Sequence, residues 1–147
     1  MTRPTEKLKP IGFFSYARQD DEKADGRLSQ LRFLLANELQ ISYGKQPIRI
    51  FQDVAAIPPG DDWEKAINDA INHATFFIPI ITRAFVESEW CSKEVSNFIV
   101  REAAINAAHP ELKGKSRIFP ILYTDIDNVQ PHDPEAFAAL RRIQFMD

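Results

Sequence analysis

Apolar positions along this chain fall into short unbroken runs separated by stripes of helical period. Residues 11–15 (I-G-F-F-S) form the first run, the length of a buried strand. Residues 16–26 are charged and polar and read as a loop, after which Leu28, Leu31, Leu34, Leu35 and Leu39 recur at helical spacing, ending near Tyr43-Gly44. Residues 48–51 (I-R-I-F) predict a second, partly alternating strand, and Pro58-Pro59-Gly60 closes the loop behind it because prolines cannot extend a ladder. Trp63, Ala66, Ile67, Ala70 and Ile71 then lie at i, i+3, i+4, i+7 and i+8, a single apolar stripe with Asp61 and Glu64 supplying an acidic first turn. Trp63 is expected to anchor this helix in the core. Residues 76–81 (F-F-I-P-I-I) predict a third strand, where Pro79 removes a ladder donor and points to a bulge or an edge. Cys91, Val95, Phe98 and Ile99 carry the core stripe of a helix reaching about Ala108. Residues 118–123 (I-F-P-I-L-Y) predict a fourth strand, and a short helix comes next, from about Pro134 to Arg142.

Strands alternating with amphipathic helices imply βαβ units and a parallel sheet with right-handed crossovers. Runs apolar on both faces fit a sheet covered by helices on both sides. The 147 residues suffice for one domain with a proper core, and 44% hydrophobic with 27% charged residues is ordinary for a soluble globular chain. The net charge of −3 gives no electrostatic case for nucleic acid or an anionic membrane surface. Cys91 is the only cysteine, so no internal disulfide can form and a reducing, cytoplasmic location is expected. Nothing approaches the roughly 20 apolar residues that span a bilayer. Residues 1–10 read as a polar extension to a domain over residues 11–147. The ending on Gln144-Phe145-Met146-Asp147, with no polar tail, suggests a module cut from a longer protein.

In an open parallel sheet, ligands bind beyond the carboxyl ends of the strands. Three loops leave those ends here: residues 15–18, 53–60 and 82–90. The last leads into Trp90 and Glu94, four positions apart and therefore neighbours on one helical face. A flat aromatic beside an anion can hold a planar cationic heterocycle next to the group that reacts with its sugar. By position alone, Glu94 fits a helix-start decoration as well as a working carboxylate.

Three motifs in order carry a resemblance over nearly the whole length. F-F-S-Y-A-R (residues 13–18), F-Q-D-V-A-A-I-P-P-G-D-D-W (residues 51–63) and S-E-W-C-S-K-E (residues 88–94) resemble the first box, the BB-loop region and the W-x-x-x-E segment of the Toll/interleukin-1 receptor (TIR) domain. The P-P-G-D-D-W loop and W-C-x-x-E are most similar to bacterial TIR modules fused to other domains. The resemblance implies a flavodoxin-like, three-layer α/β sandwich with a mostly parallel sheet of four to five strands and helices on both faces. In many members it also implies cleavage of NAD+ at the nicotinamide–ribose bond.

The resemblance implies a role for each matching residue. Glu94 is the catalytic carboxylate, bonded to ribose hydroxyls and stabilising an oxocarbenium-like centre, as carboxylates do in glycoside hydrolysis. Its place near the start of a helix favours the ionised form. Trp90 stacks on the nicotinamide or lines its pocket, with an ordinary core tryptophan as the competing reading. Ser15, Tyr16 and Arg18 resemble substrate-contacting residues, and Arg18 has the planar fork that suits a pyrophosphate. Asp53, Ile57 and Gly60 belong to a loop that gates the site, Gly60 supplying backbone freedom beside two stiffening prolines. Cys91 reads as packing, and His73, His109 and His132 lack metal-ligand spacing, so no metal is expected. NAD+ is then a substrate, no cofactor is retained, and the expected partners are other TIR domains and a fused or partner sensor. Family analogy places such modules among antiviral, NAD+-depleting immune effectors. A non-catalytic TIR–TIR signalling scaffold is the competing class.

Two other architectures fail on residues. A phosphoacceptor receiver needs clustered acids after the first strand and an aspartate ending the third, where this chain has Ser15-Tyr16 and Ile81-Thr82. A dehydrogenase needs a glycine-rich turn after a strand, and only five scattered glycines are present.

Overall fold

The computed structural model describes residues 11–17, 20, 26–43, 49–52, 63–112 and 116–143. In chain order these form β1 (Ile11–Ser15), α1 (Arg27–Tyr43), β2 (Arg49–Gln52), α2 (Trp63–His73), β3 (Phe76–Ile81), α3 (Arg83–Glu87), α4 (Glu89–Ala108), a 3-10 turn (Pro110–Leu112), β4 (Ile121–Leu122) and α5 (Pro134–Arg141). The four strands are parallel in the order β2-β1-β3-β4. This is the expected α/β architecture. The sheet has four strands among the described residues, and helices pack on both of its faces.

Period-two alternation explains how the layers separate. Phe13, Phe77 and Ile81 point to one face, where Ile67 and Ile71 of α2, Val95 and Phe98 of α4 and Leu140 of α5 complete the larger core. Phe14, Ile78 and Ile80 point to the other, against Leu28, Leu31 and Leu35 of α1. Cys91 is buried within the larger core, as packing. Leu34 departs from its stripe: it is 55% exposed, with Phe33 and Ile41, on the outward side of α1. Gly12 is required by close approach, because a Cβ there would collide with the Phe76 ring.

Pro79 does not mark an edge. β3 lies inside the sheet between β1 and β4, with Pro79 opposite Ser15. Phe77 N–H donates to Arg117 O at 2.9 Å, Phe119 N–H to Phe77 O at 2.8 Å, and Tyr123 N–H to Ile81 O at 3.0 Å. The odd-numbered residues of β3 therefore turn their backbone groups toward β4, and the donor that Pro79 lacks is missing on that side. There the ladder is interrupted between the bridge at Ile118 and the strand at Ile121, a gap that contains Pro120. The two prolines share one break, so an inner strand tolerates both, and the fourth strand shrinks from the expected six residues to two.

The amino-terminal edge of the sheet is closed by arginines. Arg101 Nε donates to Ala74 O at 3.0 Å and Arg117 Nη1 to Thr75 O at 3.2 Å, while Glu102 accepts from Arg117 N–H at 2.6 Å. Burial, and next the neighbouring Arg117 guanidinium, hold the pKa of Arg101 below the usual arginine value. No helix among the described residues is long and apolar enough to cross a membrane.

Candidate active site

The strand order reverses direction at β1 and β3, so the crevice beyond their carboxyl ends is where a ligand is expected. Two helices are aimed at it by their caps. Thr82 follows β3 and caps α3, its hydroxyl accepting from Phe85 N–H at 3.1 Å. Ser88 ends α3 and immediately caps α4, accepting from Cys91 N–H at 3.1 Å. This double cap turns the chain sharply and starts α4 at the carboxyl edge. Trp90 is then its second residue, with Glu94 one turn on.

Ser15 Oγ donates to Glu94 Oε1 at 2.6 Å, joining residues 79 apart in sequence. That length is typical of a charge-assisted O–H···O⁻ bond. Ser15 is fully buried and Glu94 is 1% exposed. A glutamate so deeply buried is rare, because removing a carboxylate from water costs several kcal/mol before any partner is counted. Beside it lies an open cleft of about 330 Å³ between α2 and α4, lined among the described residues by Asn68, Trp90, Lys93, Glu94 and Asn97. The volume is at the low end for small-molecule sites, room for part of a dinucleotide. Asn97 Nδ2 donates to Asn68 Oδ1 at 3.0 Å across the two helices. Lys93 stands at the rim, 3.5 Å from Glu89 in an exposed pair.

Ser15, Trp90 and Glu94 are thus brought together at the carboxyl edge. Trp90 is half-buried: it packs on the larger core and also lines the cleft. Tyr16 goes elsewhere. It is buried with Phe14, Leu28, Ile78 and Ile80 on the opposite face of the sheet, its ring 5.7 Å from that of Phe14. Arg18, Asp53, Ile57 and Gly60 lie outside the described residues, as do the gating loop and the side chain of Trp63.

A family model described as the TIR domain matches residues 13–147. The chain belongs to the TIR domain family. Over 90 residues it is 28% identical to a Brachypodium distachyon protein named probable 2′ cyclic ADP-D-ribose synthase BdTIR, a stretch covering 61% of this chain and 40% of that protein. This TIR domain therefore spans less than half the length of that relative. Its fold is similar to the crystal structure of the TIR domain of the Toll-related receptor TRR-2 from Hydra magnipapillata, with a TM-score of 0.57, 19% identity, and coverage of 92% of this chain and 82% of that one.

Two polar pairs near this crevice have little or no signal in the sequence. Thr82 donates its hydroxyl to the Asp20 carboxylate, tying the segment after β1 to the turn after β3. A signal is present at Thr82, a cap residue at a strand end, but its partner is 62 residues away. Asn97 could be picked out at i+3 from Glu94 and i+7 from Trp90, the same face of α4. Asn68 could not, because nothing local says that α2 packs there.

Proposed function

We propose that this TIR domain cleaves NAD+ at the nicotinamide–ribose bond, with Glu94 as the catalytic carboxylate. The observation that carries the reading is a buried glutamate held by Ser15 at 2.6 Å beside a cleft that an indole also lines. The likeness to a plant protein named as a probable cyclic ADP-ribose synthase supports the same chemistry. As the glycosidic bond breaks, its electron pair leaves with the ring nitrogen, so neutral nicotinamide departs and positive charge collects at the ribose. The Glu94 carboxylate stabilises that charge and holds the ribose hydroxyls. Water capturing the carbon gives ADP-ribose and a proton. An internal hydroxyl capturing it gives a cyclic isomer and a proton. Trp90 faces the pyridinium ring, and Arg18 and the 53–60 loop contribute phosphate and gating contacts.

Ser15 acts as a positioning residue for the carboxylate. Hydrogen bonds to charged groups are worth about 1.5–3 kcal/mol, so Ser15→Ala is expected to lower kcat by roughly tenfold or more, with Ser15→Thr recovering part of it. Rate assays on both variants check this, and an unchanged kcat in Ser15→Ala would remove Ser15 from the mechanism.

Glu94, at 1% exposure, is not open to a sugar in this conformation, so turnover requires the cleft to widen. Self-association is the natural trigger, and Phe33, Leu34 and Ile41 give α1 exposed apolar surface for contact with a second copy. Dilute isolated domain is therefore expected to turn over slowly, and tethered or crowded domain at least tenfold faster per molecule. Equal specific activity across protein concentrations would contradict activation by assembly. In a longer chain, a fused sensor would drive that assembly as an immune, antiviral response. The competing reading, a signalling scaffold without activity, draws on the same exposed α1 residues. It predicts association with NAD+ left intact.

A further inference from the structure

We propose that Asn68 and Asn97 form the recognition pair for the substrate's carboxamide, so that this cleft selects nicotinamide over nicotinic acid at the pyridine ring. The inference rests on the NAD+ reading above and adds residues to it.

Each amide keeps hydrogen-bonding capacity after meeting the other. One hydrogen bond, Asn97 Nδ2 to Asn68 Oδ1, consumes an N–H of one and a carbonyl lone pair of the other. The pair still presents Asn97 Oδ1 as an acceptor and the Asn68 amino group as a donor. The pattern is the same whichever amide donates. A carboxamide offers an amino donor and a carbonyl acceptor, the complement of that pattern. A carboxylate offers acceptors alone: it can take the remaining N–H groups but leaves the pair's open carbonyl without a donor.

Placement agrees with the chemistry. Both amides line the cleft that Trp90 and Glu94 line. Side chains on a helix lean toward its amino terminus, so Asn97 reaches back over the turn that carries Glu94. A ring set against Trp90, with its ribose at Glu94, would lie along the face of α4 that also carries Asn97. Charge points the same way, since Glu94 repels an added carboxylate. Lys93, the cation at the rim, is engaged by Glu89 at 3.5 Å. Asn97 is exposed and Asn68 only partly buried, so substituting either leaves the core intact.

The test uses two readouts on wild type, Asn97→Ala and Asn68→Ala. Ligand-observed NMR compares binding of nicotinamide and nicotinate, which requires no turnover. Assays on clustered protein compare kcat/KM for NAD+ and for nicotinic acid adenine dinucleotide. Wild type is expected to favour the amide in both, and each variant to lose about five- to tenfold of that preference, the worth of one hydrogen bond in an open cleft. The loss should fall on the amide ligand, with the acid form nearly unmoved. A preference unchanged by either substitution, or a loss shared equally by both ligands, would overturn the assignment. Amide-selective binding that depends on Asn97 without any cleavage would keep the recognition pair and sink the enzymatic reading. Glu94-dependent cleavage indifferent to both asparagines would do the reverse.

Discussion

Replacing Glu94 by alanine is expected to abolish nicotinamide release, a fall of at least about 100-fold, while leaving a folded domain. The magnitude comes from removing an anion aimed at a developing positive charge, which commonly costs two or three orders of magnitude. The carboxylate is 1% exposed and held at 2.6 Å by the Ser15 hydroxyl, so its removal also removes the cost of its own desolvation. Glu94→Gln makes the cleaner version. Its amide oxygen can still accept from Ser15 and the volume is conserved, while the charge is lost and the second oxygen becomes an amino group. The Gln variant should be as inactive as the Ala variant and melt close to the wild-type temperature. Kinetics and thermal denaturation on both variants check this, and activity within tenfold of wild type in Glu94→Gln would remove the electrostatic mechanism.

The largest expected loss of stability lies one layer below. Phe77 is fully buried in β3, its ring stacked 5.9 Å from Phe13 of β1 and 5.1 Å from Phe98 of α4, with interplanar angles of 19° and 14°. Those three rings join two strands to the helix that carries Trp90 and Glu94. Phe77→Ala is expected to cost about 3–5 kcal/mol, the usual penalty for emptying a well-packed aromatic site. That is a large share of the roughly 5–15 kcal/mol that holds a domain together. Urea unfolding should show the midpoint falling with an unchanged slope. Val100, 71% exposed on the same helix as Phe98, serves as the control, and Val100→Ala should stay within about 0.5 kcal/mol of wild type. A Phe77→Ala loss below about 1 kcal/mol would mean that the stack is not the keystone of the core.

What the residue pattern announces and what it hides divide along physical lines. β1 and β3 are short, continuous and apolar, and their bounds match the structure residue for residue. The helix ending at Ala108 likewise carries its own stripe and stops where expected. Local order encodes these elements. α3 is invisible to periodicity because five residues cannot show a period, although Thr82 and Ser88 flag both of its ends. Pro79 misleads because a missing donor forbids pairing on one side only, and which side depends on the register with β4. Tyr16 comes directly after Ser15, so the alternation that sends Ser15 to Glu94 sends Tyr16 to the opposite face. The Trp90–Glu94 neighbourhood is readable from helical spacing. The Ser15–Glu94 bond needs the topology, and the Asn68–Asn97 pair needs the packing of α2 on α4.

Whether this site breaks the nicotinamide–ribose bond is decided by its products. Wild-type domain at high concentration, with and without tethering or a crowding agent, is mixed with NAD+ and the products are separated by chromatography. Free nicotinamide should appear in step with ADP-ribose or a cyclic isomer, faster in the clustered sample. Intact NAD+ after prolonged incubation with clustered domain would contradict the account and leave the fold as an interaction module.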